Sequence, residues 1–296
     1  MHRMRRGCLI AGLLLSLTLG SRSSEAQYTA NFQTNIISGV ISNWSGEYDV
    51  GSNTFADVLL IQNGGVFTNT DAFLGLQVGS SNNTVLVTDP SSDWSIGSPS
   101  LIVGYSGAGN SVVVSNGGKI VVSDGGTVGF NSSGSNNSII VTGSGSIWSN
   151  YFDFYLGYSG PSNRFTVDDG GQMIVWLGTS YLGGFTYSSS NNLVLITGPG
   201  SLWKSYQMSG GGVNSSIIVS NGGVIDTGSG TFGYGYGNTM IVAGTGSVWS
   251  NWWGDAFIGA AWGSNNCLVV KDGGRVVNRN GIVGWGGANC RRARFL

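Results

Sequence analysis

The sequence predicts an all-β fold, a right-handed parallel β-helix of about ten coils, each of about 26 residues in three short strands. Three observations carry this reading. A thirteen-residue phrase recurs as NNSIIVTGSGSIW (136–148), NNLVLITGPGSLW (191–203) and GNTMIVAGTGSVW (237–249), keeping Asn, Gly and Trp while the apolar letters change. A second phrase alternates with it and carries a Gly-Gly pair, as in NSVVVSNGGKI (110–120) and NCLVVKDGGRV (266–276), with pairs beginning at 64, 117, 170, 222 and 273. Finally, each double unit of 51–53 residues splits into two similar halves, marked by a glycine after a short apolar run at 51, 75, 104, 129, 157, 183, 210, 233, 259 and 284.

The elements of one half follow in order. An apolar run ends at the anchor glycine, a polar turn with Asn comes next, then a run such as SIIV, a Gly-bearing turn, and a third run such as SIW or KIVV. Three short strands in so few residues leave no room for a helix, and no helical apolar spacing is present after residue 27. A β-propeller blade also repeats near 50 residues, but four antiparallel strands would not divide into two like halves. Coils stack about 4.8 Å apart, so equivalent letters lie directly above one another.

Stacking gives the repeated letters physical jobs. Asn83, Asn110, Asn137, Asn163, Asn192, Asn214, Asn238 and Asn266 occupy one corner, where each carboxamide can bond to the next in a ladder. Glycine and Asn/Asp at the other corners supply positive φ. Side-chain alternation sets the direction of the tryptophans. Aligning Ser146-Ile147-Trp148 with Lys119-Ile120-Val121 makes the middle position apolar in eight of nine copies, hence inward. On that alignment Trp94, Trp148, Trp203 and Trp249 form an outer row on alternate coils, an aromatic strip for a sugar or a partner or a cover over strand backbone.

Residues 1–26 read as a secretory signal peptide: Arg3, Arg5 and Arg6 precede the apolar run 8–19, and Ser24 and Ala26 supply small residues for cleavage. Residues 27–50 are expected to form an N-terminal cap or first partial coil, 51–290 the β-helix, and 291–296 a basic tail. Trp44 fits the repeat poorly and is expected in the cap.

Composition narrows the chemistry. Lys and Arg total 13 against 14 Asp and Glu, and past residue 26 the balance is nine to thirteen, so no basic patch for nucleic acid exists. No further apolar run reaches membrane-spanning length. The one histidine is His2, which removes Ser-His-Asp and Cys-His catalysis and His-bearing zinc sites from the exported chain. Asp169 and Asp272 stand where Asn63, Asn116 and Asn221 stand in other copies, a turn position. Asp71, Asp153 and Asp255 share a register but lie three and four coils apart, at least about 14 Å, too far for a paired acid and base along that row. No catalytic, cofactor-binding or metal-binding residues are nominated. Cys267 and Cys290 fall at equivalent places in successive coils, within disulfide reach.

The phrases NNSIIVTGSGSIWSN (136–150), LIVGYSGAGNSVVVSNGG (101–118) and LGYSGPSNRFTVDDGG (156–171) resemble the type V secretion and PEP-CTERM-associated repeat of bacterial autotransporter-like and surface proteins. The resemblance covers about residues 48–290. It implies export and a β-helical passenger, and supplies no catalytic residues. Neither a membrane barrel nor a PEP-CTERM tail follows, and the repeat stops mid-coil at VGWGGANC, from which a missing C-terminal piece and self-association through an uncapped last coil are expected. The functional expectation is an exported, non-enzymatic rod at the cell surface, structural, adhesive or for display. Polysaccharide or other cell-surface components are the expected partners, and a carbohydrate-binding or polysaccharide-degrading β-helix is the alternative.

Overall fold

In a computed structural model, described over residues 28–184, 188–260 and 263–285, the chain winds into a parallel β-solenoid with no helix among those residues. Residues 1–26, the expected signal peptide, lie outside the described residues, as do Cys290 and the basic tail. Every described strand pairing is parallel and joins one coil to the next.

The first face is a ten-stranded sheet that runs from Thr34–Ser38 through Ser111–Ser115 to Cys267–Lys271. Its strands begin at 34, 58, 84, 111, 138, 164, 193, 216, 239 and 267, steps of 23 to 29 residues. The second face includes Lys119–Val122 and Ile147–Asn150, and the third Gly125–Val128 and Phe154–Leu156. In three coils the second and third strands run on without a break, as in Gln172–Leu182, and this merges both faces into one sheet. In the region expected as a cap or first partial coil, Thr34–Ser38, Ile41–Asn43 and Tyr48–Val50 make three strands paired with the next coil. Trp44 packs against the core at that end, its Nε1–H donating to Glu47 O at 2.9 Å.

On the first face the second and fourth residues of each strand point inward, as with Val112 and Val114, Ile139 and Val141, Ile217 and Val219, all buried. Their β-branched shapes suit a pleated, packed surface. The central residue points outward yet is aliphatic in most coils, as at Leu86, Val113, Ile140 and Ile218. Each lies over its equivalent in the coil below and is half-buried by it.

The second face corrects the direction of the tryptophans. Lys119 pairs with Ile147 and Ile120 with Trp148, so Trp148 shares the inward row with Ile120. The same row holds Phe67, Trp94, Met173, Trp203, Ile225 and Trp249. Trp94, Trp148, Trp203 and Trp249 are therefore interior, each at most 2% exposed, and not an outer strip. The cause is one residue in the preceding turn. Four steps separate Ser115 from Lys119, whereas five separate their partners Thr142 and Ile147. A one-residue slip exchanges the faces of a strand, and the Gly-x-Gly-Ser turn carries that extra residue.

The extra residue has its own role. Ser146 accepts a hydrogen bond from Gly117 N–H at 3.0 Å, in the turn of the coil below. Ser92, Ser201 and Ser247 do the same for Gly64, Gly170 and Gly222. The shorter Asn-Gly-Gly turn is left-handed at Asn116 and Gly117, and a Cβ on the following Gly118 would lie 2.6 Å from Val87 O. The second glycine of the pair is thus required for contact with the coil beneath.

The buried corner before the first face carries a side-chain ladder. Asn137 Oδ1 accepts the Asn110 backbone N–H at 2.9 Å and the Asn110 Nδ2–H at 3.0 Å. The same pair of bonds joins Asn83 to Asn110 and Asn137 to Asn163. The backbone half continues from Asn163 to Asn192 and from Asn238 to Asn266. Asn214 does not belong to this ladder. The Asn192 N–H meets Ser215 Oγ, and Ser215 N–H meets Asn238 Oδ1 at 2.8 Å. Asn214 instead holds the left-handed position one residue earlier, φ 51°, equivalent to Asn136 and Asn191. At the other end Asp57 Oδ1 accepts from Gln33 N–H, and Asp57 N–H donates to Asn83 Oδ1. Anchor glycines make room for the carboxamides: a Cβ on Gly104 would overlap Asn137 Nδ2.

Inside the rod Trp148, Phe154, Phe165 and Trp203 form one aromatic cluster with ring centroids 4.9–6.4 Å apart. Buried polar groups meet most of the indole N–H donors: Asn69 for Trp94, Asn150 for Trp148 and Ser180 for Trp203. Outside, Tyr105, Phe130 and Tyr158 stack at 4.9 and 5.1 Å on successive coils.

Two predictions follow from this packing. Asn137→Ala strips the acceptor from two buried donors of Asn110 and should lower unfolding free energy by about 1–3 kcal/mol in denaturant titration, whereas Asn214→Gly should change it little. On the third face, burial, and then Glu47 and Asp71, push the Asp49 carboxyl up from 3.8 to about 7. The folded chain then holds a proton that the unfolded chain has lost, so stability falls as pH rises from about 4 to about 7. Asp49→Asn should remove that contribution, and its gain in Tm over the parent chain should be larger at pH 8 than at pH 4.

Candidate binding surface

With the tryptophan row inside, a second outer aromatic surface, besides the Tyr105-Phe130-Tyr158 stack, lies at the corner between the second and third faces. The length of this corner varies from coil to coil. From Thr227 to Gly230 it takes three steps, but their partners Asn251 and Ala256 are five apart. Likewise Val175 and Thr179 are four apart where Ser205 and Gln207 are two apart. Two of the longer corners hold Trp176-Leu177 and Trp252-Trp253, and a third, between Ile96 and Leu101, holds Gly97-Ser98-Pro99-Ser100 and no aromatic ring. Tyr151-Phe152 occupies the corner of the coil before Trp176, with Leu177 N–H donating to Tyr151 O at 2.9 Å.

These rings are open to solvent: Trp176 is 58% exposed and Trp252 57%. Tyr151, Phe152, Tyr206 and Trp253 are also exposed. Each follows the last inward residue of a second-face strand, Asn150, Val175, Ser205 or Asn251, so strand alternation ends there and the corner residues turn out. Trp253 is held in place. It lies across Gly228, where a Cβ would overlap its Nε1, and it meets Tyr206 beyond at 5.5 Å.

A hollow opens on each side of this ridge. Toward the second face, Val121, Ser123, Ser149, Tyr151 and Trp176 line about 310 Å³. Toward the third face, Asp124, Thr127, Phe152, Asp153, Tyr155 and Leu177 are among the residues lining about 410 Å³. Asp124 accepts the Ser98 hydroxyl at 3.0 Å, and Asp153 accepts Thr179 N–H at 2.7 Å and, more distantly, the Tyr155 hydroxyl at 3.4 Å. Burial, and then the Asp153 charge, push the Tyr155 hydroxyl above the usual phenol range, so it stays protonated.

Asp124 and Asp153 come together here because adjacent coils stack their corners, Phe152 N–H donating to Asp124 O at 3.1 Å. The row shared by Asp71, Asp153 and Asp255 leaves pairing across faces open, and Asp124 is the neighbour that the structure brings to Asp153. Sequence reasoning missed the aromatic corner, whose signal was the paired bulky residues YF, WL and WW two to four residues after the second-face strand centre. Among the described residues no group of three His, Cys, Asp or Glu gathers as a metal ion requires, and no helix is long and apolar enough to cross a membrane. Cys267 is half-buried; its expected partner Cys290 lies outside the described residues.

The fold defines the chain as a parallel β-solenoid repeat protein. No family model matches it, and no curated protein matches it. Among solved structures, a TibA fragment hyper-glycosylated by TibC aligns with 87% of this chain and 99% of its own at 16% identity, with a TM-score of 0.38.

The two sets of tryptophans should separate by fluorescence. Replacing Trp176, Trp252 and Trp253 with Phe should remove an acrylamide-quenchable, red-shifted component. Trp148→Phe should instead remove emission that is blue-shifted and protected.

Proposed function

We propose that the chain is a non-enzymatic β-helical rod, exported and displayed at a cell surface in a structural or adhesive role. The observation that carries this reading is the continuity of the repeat. The corner ladder runs from Gln33 to Asn266 with Asp57 and Ser215 filling in where Asn is absent, so no coil gives up its structural side chains to a specialised pocket. Solenoids of this kind present extended surfaces at fixed intervals. Further support comes from the basic and apolar opening of the sequence, which suits a secretory signal, and from the resemblance of its phrases to surface-protein repeats.

The test is expression of the full chain, with its first 26 residues, in a Gram-negative host, followed by fractionation and protease shaving of intact cells. Recovery outside the cytoplasm and sensitivity to external protease are expected. Retention in the cytoplasm, or turnover of neutral or acidic polysaccharides by the purified chain, would overturn the reading.

A further inference from the structure

We propose that the corner from Tyr151 to Trp253 binds an extended neutral polysaccharide, whose sugar rings lie along the rod against Trp176, Tyr206 and the Trp252-Trp253 pair. The inference deepens the surface-rod reading and takes from it only the setting in which the ligand is met. A pyranose has an apolar C–H face and a rim of hydroxyl donors and acceptors. An aromatic ring open to solvent matches the first, and carboxylate or hydroxyl groups beside it match the second. Both are present: Trp176, Tyr151 and Phe152 stand between two hollows with Ser123 and Ser149 on one side and Asp124, Asp153 and Thr127 on the other.

Geometry and charge make the ligand an extended, uncharged chain. The ridge occupies consecutive coils, those of Tyr151, Trp176 and Tyr206, then passes over Gly228 to Trp252 and Trp253. Successive coils rise by about 4.8 Å, close to the length of one sugar residue in an extended chain, so neighbouring sugars meet neighbouring platforms. The larger hollow is lined by two carboxylates and by no Lys or Arg. Carboxylates accept from sugar hydroxyls and repel uronate or sulfate groups, which selects against acidic polymers. A protein partner would be met by a broad close-packed patch, whereas these rings form a narrow ridge flanked by a mainly apolar hollow with two serines and a larger hollow with two carboxylates.

The experiment is affinity electrophoresis of the purified chain in native gels containing a neutral β-glucan, a neutral mannan or anionic alginate. Retardation by at least one neutral polymer is expected, with none by alginate. The Trp176→Ala, Trp252→Ala, Trp253→Ala triple variant should weaken that binding about tenfold or more. Trp176 and Trp252 are largely exposed and Trp253 covers Gly228, so a cooperative melt close to the parent's is expected and identifies a folded triple variant. Asp124→Asn with Asp153→Asn should weaken neutral binding less than the triple variant does and should relax the exclusion of alginate. Passage of the parent chain through both neutral gels unretarded would overturn the proposal, as would stronger retardation by alginate or undiminished binding by a folded triple variant. A fall in oligomeric mass of the triple variant in light scattering would reassign the corner to contact between copies and overturn it too. Protease shaving reads display independently of these gels, so either result can fail alone.

Discussion

The structure depends on one constraint: every coil must leave its backbone N–H and C=O groups, at corners as well as along strands, where the next coil can meet them. Strands satisfy this by parallel pairing, and corners in part by backbone bonds between coils such as Leu177 N–H to Tyr151 O, which leave some N–H groups to be met otherwise. The buried corner solves the problem with side chains. An Asn carbonyl, an Asp carboxylate or a Ser hydroxyl reaches down to the backbone N–H of the preceding coil, at Asn137, Asp57 and Ser215 alike. What the position demands is an acceptor of the right reach, and from Asn83 to Asn163 the carboxamide also donates, carrying a second chain of bonds from coil to coil. The anchor glycine beneath it and the second glycine of the Asn-Gly-Gly turn are consequences of the same demand, since both give close approach to the neighbouring coil.

How much of this was legible in the letters follows from which features repeat. Coil length, the parallel sheets and most of the ladder come from periodicity, because stacking forces equivalent residues into equivalent places. Errors arose where the period hides a local change. Ser146 lengthens its turn by one residue relative to Asn116-Gly117-Gly118, and glycine-based alignment therefore placed Trp148 beside Val121 rather than Ile120. The misaligned row looked convincing because the residue before three of the four tryptophans is itself aliphatic, Ile147, Leu202 and Val248, even though the structure turns it outward; Asp93 before Trp94 was the exception. Asn214 misled in a related way, since Asn serves both the left-handed position and the ladder position that follows it.

The aromatic corner was hidden for the opposite reason. It appears where the repeat is broken, in corners lengthened at Trp176 and at Trp252-Trp253, so a search for sameness passes over it. Interior tryptophans stand in register and find partners such as Asn150 two residues along the same strand. The exposed ones stand in insertions and have open faces. In this fold regularity marks what supports the rod, and irregularity marks what faces the surroundings.

The bulged corners carry a last implication. Lengthening one corner leaves the pairing on the first face untouched, as Arg164–Asp168 and Leu193–Thr197 remain fully in register on either side of the Trp176 bulge. Shape can therefore be edited at one address without retuning the others. Position in the gene becomes distance along an axis, and the chain works as a graduated ruler on which marks can be added, moved or erased singly.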